Sequence, residues 1–284
     1  MSVRPLAFWD ALAATAAIAL GVGLLPMAPA HADGRFEAHY TISMAGISIG
    51  RAAWAAEIGT SQYSAAARGS ASGVLAALIR GEGNVAVRGA VNGGRLMPNS
   101  FTSDLTQDDE RAKFNMTFDD DGNVTAIEAE TEPVLKDRVP VTEAHRQGVI
   151  DPVSALLIPV GGTGEMISRE ACPRVLRIFD GRRRYDLGLA FKRVDKVKAS
   201  KGYAGPVAVC AMTLRAIAGH RIGSLLVKYL AEGREIELWL APIPGTRVLA
   251  PFRLSVSSLV GNMVVQADTF LAAPGQRADR AAPR

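Results

Sequence analysis

From Phe36 to Met44 the chain alternates without a break. Phe36, Ala38, Tyr40, Ile42 and Met44 fall on one face, and Glu37, His39, Thr41 and Ser43 on the other. Period two over this length predicts a half-buried strand. After Gly46 the run from Ile47 to Ile58 alternates more loosely, with Ile47, Ile49 and Trp54 as its bulky members, so the glycines predict a turn or bulge between two strands. Extended signals continue in "SQYSAAARGSA", "GNVAVRGAV", "ERAKFNMTF" and "VTAIEAETE", then in "VLRIF", "RYDLGLAF", "VAVCAMTLRAI", "SLLVKYLAEGREIELWLAP" and "RVLAPFRLSVSSLVGNMVVQADTFLA". Asp121-Gly122 and Asp180-Gly181 predict tight hairpins. Two short stretches break the rhythm. Gly73 to Arg80 reads as two helical turns or an apolar loop. "DPVSALLI" reads as a short helix packed across an end or open face of the sheet, because Asp151 offers a capping carboxylate ahead of Pro152 at the first helical position.

This pattern predicts an all-β, mostly antiparallel protein: a strongly curved sheet or open barrel with one or two short helices. The expected organisation is a single β-rich domain over residues 33–272, divisible into halves 33–131 and 150–272 around a charged, proline-bearing stretch. The last residues, 273–284, lack apolar content and are expected to form a disordered tail. Residues 1–32 carry Arg4, an apolar run from Ala11 to Leu25, and the small-x-small sequence Ala30-His31-Ala32. That is the layout of a cleavable secretory signal, and the run is shorter than the roughly 20 residues needed to span a bilayer. The expectation is therefore export to the periplasm with cleavage after Ala32, leaving no stable membrane span. No cysteine follows the apolar run, so a lipid anchor is not expected.

Composition adds little to this. Hydrophobic residues make up 48% of the chain, enough for a sizeable core. The net charge of +4 suits solubility and does not call for nucleic acid. Cys172 and Cys210 are the two cysteines. In an oxidising compartment they can pair, and two free buried thiols are the other reading.

Candidate chemistry is sparse. Gly46-x-Ser48-x-Gly50 fits the nucleophile elbow of hydrolases, but that elbow needs a helix directly after the serine, and a strand pattern follows Ser48. "VGGTGE" lacks the Lys-Ser/Thr that a phosphate loop requires after its last glycine. His39, His145 and His220 are scattered without metal-ligand spacing, so no metal and no cofactor are expected. Asp104, Asp108, Asp109 and Glu110 form an acidic patch assigned to a turn, and Asp119 to Asp121 form another at a hairpin tip; both read as solvated loops. Arg182, Arg183 and Arg184 crown a hairpin and are followed by Lys192, Arg193, Lys196, Lys198 and Lys201. The three arginines are candidates for contact with an anionic envelope surface.

The order of five segments resembles the family of exported bacterial proteins called domain of unknown function 3108. These are "FEAHYTISMAGISIGRA", "DPVSALL", "CPRVLRIFDGRRRYDL", "VAVCAMTLRAIAG" and "ELWLAPIPGTRVLAPFRLSV". The resemblance covers roughly residues 35–270. It implies an exported β-rich envelope protein with Cys172 and Cys210 paired, and it transfers no catalytic residue. The functional expectation is a periplasmic binding, carrier or envelope-maintenance protein, with a lipid or an envelope polymer as ligand. Its apolar groove would be lined by Phe36, Tyr40, Ile42, Trp54, Val74, Leu75 and Leu78, which are equally the expected core. A hydrolase acting on an envelope polymer and a scaffold for another envelope protein are the competing classes. The sequence leaves the oligomeric state open.

Overall fold

The structure, a computed structural model, describes residues 32–72, 81–107, 110–130, 137–224, 227–228, 235–257 and 261–275. Residues 1–31 of the segment expected to direct export lie outside the described residues, as does Gly73–Arg80 with Val74, Leu75 and Leu78, while Ala32 opens the first strand.

Seven strands fill the first half: β1 (Ala32–Met44), β2 (Ile47–Gly59), β3 (Gln62–Ala71), β4 (Gly81–Asn92), β5 (Arg95–Gln107), β6 (Glu110–Phe118) and β7 (Val124–Ala129). Helix α1 (Pro152–Ala155) and the two-residue β8 (Ile158–Pro159) lead into the second half. There follow β9 (Arg174–Phe179), β10 (Arg184–Lys198), β11 (Lys201–Gly202), β12 (Ala204–Ala218), β13 (Ile236–Ile243), β14 (Val248–Val256) and β15 (Met263–Pro274). They form one sheet in the order β7-β6-β5-β4-β3-β2-β1-β15-β14-β13-β12-β10-β9, with β8 paired to β14 and β11 to β15. All pairings along that path are antiparallel, and the first strand pairs with the last. β15 runs two residues into the stretch expected to be tail.

The hairpin between β1 and β2 shows how local sequence sets register. Ala45 and Gly46 both take positive φ, 49° and 83°, the two-residue turn whose twist matches a hairpin. Beyond it Met44 pairs with Ile47, and the buried face of β1 (Phe36, Ala38, Tyr40) is set against Ala56, Trp54 and Ala52 of β2.

The sheet has two free edges, β7 and β9, and residues 148–150 bridge them. Gly148 N donates to Asn123 Oδ1 (3.0 Å) and Val149 N to Gly122 O (2.8 Å), both in the turn between β6 and β7. Ile150 N then donates to Arg177 O and Ile150 O accepts from Phe179 N, on β9. α1 follows at once and contacts β3, β4 and β5 as well as β9, so it sits within the curl of the sheet rather than across an open end. Its cap is as the sequence predicts: Asp151 Oδ1 accepts from Val153 N and Ser154 N, both at 2.9 Å. The helix is shorter than predicted, because the chain is already extended at Ile158 to pair with Leu249.

Two apolar clusters result. The inner one fills the curl with Phe36, Trp54, Phe101, Phe114, Phe179, Phe252 and Phe270 among others. The second lies on the other face of β12–β14, where Cys210, Leu238, Leu240 and Leu249 are covered by Ile158, Val160, Ala171 and Cys172. The Cys172–Cys210 disulfide, with Cα atoms 5.6 Å apart, fastens that cover to β12. Cys172 follows a 3-10 turn and precedes β9, so the bond ties a covering segment to a strand and not one strand to another.

Candidate functional site

The residues expected to line an apolar groove are the place to begin. Phe36, Tyr40 and Trp54 are less than a tenth exposed and are core. Phe36 packs edge-on to Trp54 with ring centroids 5.5 Å apart and lies 4.9 Å from Phe270. The Tyr40 hydroxyl donates to Pro251 O at 2.7 Å. Ile42 is half-buried near the end of β1. The Phe36 ring thus packs against Trp54 of β2 and Phe270 of β15. Trp54, Tyr40 and Phe36 also each border a groove of the described surface.

The groove that Trp54 borders lies on the opposite face of the same strands. Trp54, Ala67, Val85, Ser103 and Phe114 stand side by side across β2–β6 with their side chains turned inward, and their backbone forms the floor of an outer groove of about 750 Å³. Two outward rows flank it. One runs Glu37, Ala55, Ala66, Ala86, Thr102, Asn115, Glu128, and the other His39, Ala53, Arg68, Asn84, Asp104, Lys113, Glu130. In the first row small methyls occupy β2, β3 and β4, and in the second Ala53 on β2 is followed by Arg68, Asn84 and Asp104. Alanine contributes to the concavity, because at Ala53, Ala55, Ala66 and Ala86 it stands where an outer strand face ordinarily carries long polar residues.

A second outer groove of about 530 Å³ adjoins the first and shares His39, Ala53, Arg68 and Asn84 with it. Its far wall is the row Thr41, Arg51, Ser70, Glu82, with Asp268 at the β15 end accepting from Thr41 Oγ1 at 2.5 Å. The two grooves thus form one surface that passes from alanine methyls to charged groups.

The remaining candidates are placed as follows. Ser48 is exposed on β2 with no helix behind it, so the elbow motif is a strand. Asp104 is not in a turn: it lies on β5 and binds Arg111 through two hydrogen bonds of 2.9 and 2.6 Å. Asp108 and Asp109 lie outside the described residues, and Glu110 opens β6. Asp119 holds its turn through Asp121 N and Asn123 N, and only Gly122 there takes positive φ. His39 pairs with Glu37, His145 Nδ1 accepts from Thr142 N, and His220 Nδ1 is buried without a partner. Of the arginine trio only Arg183 is exposed. Arg182 is half-buried, and Arg184 is buried and bound to Asp186 at 2.6 Å, so the three do not form a surface patch. Lys192 and Arg193 are likewise taken up by Glu235 and Glu237. Among the described residues no group of three His, Cys, Asp or Glu is placed to hold a metal ion, and no helix is long and apolar enough to cross a membrane.

Two carboxylates are strongly perturbed, in opposite directions. Burial beside α1 pushes Asp151 up to about 6, with its Oδ2 left without a partner; the Ser154 and Val153 hydrogen bonds oppose the shift. Nearby Ser154 Oγ meets the Tyr63 hydroxyl at 2.7 Å. Glu237 is pulled down to about 2, chiefly by Arg193, against the effect of burial. Arg193 and Arg253 both stack on Trp239, at 5.5 and 5.0 Å. No described groove opens on Asp151; its geometry is that of a helix cap.

The model of a family described as a protein of unknown function, DUF3108, matches residues 35–268, and the chain belongs to that family. No curated protein matches it. A crystal structure of a β-barrel-like protein of domain of unknown function DUF1849 from Brucella abortus is similar in fold. It has 10% sequence identity and a TM-score of 0.47, covering 87% of this chain and all of that one.

Proposed function

We propose that this DUF3108 protein is an exported binding protein of the cell envelope that holds an apolar, lipid-like ligand in the outer groove across β1–β7. The observation that carries the reading is the set Ala53, Ala55, Ala66 and Ala86, gathered at the centre of a groove of about 750 Å³. That volume falls within the roughly 300–1,000 Å³ of small-molecule sites. The inner face of the same strands is filled by its own aromatic rings, so the outer face is where the sheet has room. Export is supported by the apolar run from Ala11 to Leu25 and by a disulfide of the kind that persists in oxidising compartments.

Native mass spectrometry of the protein purified from its own periplasm tests this. A co-purifying lipid is expected for the wild type and should be absent from Ala66→Arg/Ala86→Arg, which fills the groove while keeping exposed strand positions exposed. Recovery from the membrane with residues 1–32 intact contradicts the export half, and a ligand-free wild type contradicts the binding half.

A further inference from the structure

Beside the methyl-lined groove lie two exposed cations, both in the lining of the polar groove. Arg51 and Arg68 are exposed on neighbouring strands, Arg51 opposite Ser70 and Arg68 opposite Ala53. They are therefore diagonal neighbours on one face, about 7–8 Å apart at Cα. Of the other arginines on this face, Arg35 binds Glu57 and Arg111 binds Asp104, while Arg88, opposite Ser64 and Ser100, lies outside the lining of both grooves. Arg51 and Arg68 form no ion pair among the described residues, although adjacent like charges cost stability. Arg68 stands on the row shared by the two grooves, and Arg51 stands one row further into the polar one. Glu82 closes the far end of that row, next to Ser70.

We infer that the polar groove is a headgroup subsite, and that the ligand is a phospholipid with a zwitterionic head. This rests on the binding reading above and adds the ligand's class. Two guanidinium forks at this spacing suit one phosphate, whose oxygens accept several charge-assisted hydrogen bonds at once. Glu82 offers its carboxylate to an ammonium group beyond the phosphate. The acyl chain then runs from Arg68 over Ala53, Ala55, Ala66 and Ala86.

The test is calorimetric titration of the purified protein with submicellar lysophosphatidylethanolamine, lysophosphatidylglycerol and a monoacylglycerol of the same acyl chain. Lysophosphatidylethanolamine should bind the wild type at least about tenfold tighter than the monoacylglycerol, the scale of one or two hydrogen bonds to a charged group. Arg51→Gln/Arg68→Gln should erase that preference without lowering the melting temperature, because it removes a like-charge pair. If the wild type binds both lipids equally and the double variant changes neither, the headgroup inference is overturned and the apolar groove stands. If no lipid binds at all, the binding reading falls with it. Lysophosphatidylglycerol, which lacks the ammonium, should bind more weakly, and equal affinity overturns the role given to Glu82.

Discussion

The two halves of the sheet treat their outer face differently. Across β12–β14 both faces are buried: Val207, Trp239, Ala241 and Phe252 point into the curl, while Cys210, Leu238, Leu240 and Leu249 point outward under residues 158–172. Across β2–β6 only the inner face is buried, and the outer face carries alanines in a groove. Cover is thus a local decision written into the outward positions. Where these are leucine and cysteine the chain folds a segment over them and pins it with a disulfide. Where they are alanine it leaves them open, because a methyl left in water costs far less than an isobutyl group. The open half is the one to which the proposed ligand is assigned.

That contrast can be broken at its covered side first. Reducing the disulfide, or Cys210→Ser, should lower unfolding stability by about 4 kcal/mol on the chain-entropy estimate for a separation of 38 residues, read from urea denaturation. Leu240→Ala should cost about 3 kcal/mol, within the usual range for a fully buried leucine. Ala86→Ser, on the open half, should stay within about 0.5 kcal/mol. Equal costs for the last two would erase the distinction between the halves.

The two perturbed carboxylates sharpen it through pH. Asp151 has a folded value near 6, above the ordinary 3.8, so the folded state holds its proton more tightly. Its contribution is fully present below about pH 4 and is lost as pH rises through 6, by at most about 3 kcal/mol. Glu237 is the reverse: its folded value near 2 gives stability that is present above pH 4.5 and lost as pH falls through 2. Unfolding measured from pH 2 to 8 should therefore lose its decline between 4 and 6 in Asp151→Asn, and part of its acid decline in Glu237→Gln. The smallest effect belongs to Ser48→Ala, for which folding should not change and no fluorophosphonate labelling should be lost, because the hydroxyl sits exposed on a strand.

Much of the wall was legible. The alternation in Phe36–Met44, the turn at Gly46 and the Asp151 cap follow from local physics and appear where expected. β5 was not legible, because Pro98 interrupts it; the structure accommodates the proline at a bulge, where Gly89 pairs with Pro98 after a register shift. The burial of Arg184 and the cover over Leu238 and Leu240 depend on partners distant in sequence. The groove is hard to see in the sequence for a different reason. Ala53, Ala55, Ala66 and Ala86 stand on the polar phase of their alternations, and a reading that seeks the buried face passes over them. The absence of long side chains on that phase was the available signal.

The central claim is that ligand lies against the outer face of β2–β4 and not inside the curl, and alanines on both faces make this measurable. With ¹³C-methyl alanine labelling, titration of a submicellar monoacylglycerol should shift the methyls of Ala53, Ala55, Ala66 and Ala86. Those of the buried Ala38, Ala56 and Ala65 should stay in place. Shifts confined to the buried three would put the ligand inside the sheet and contradict the account.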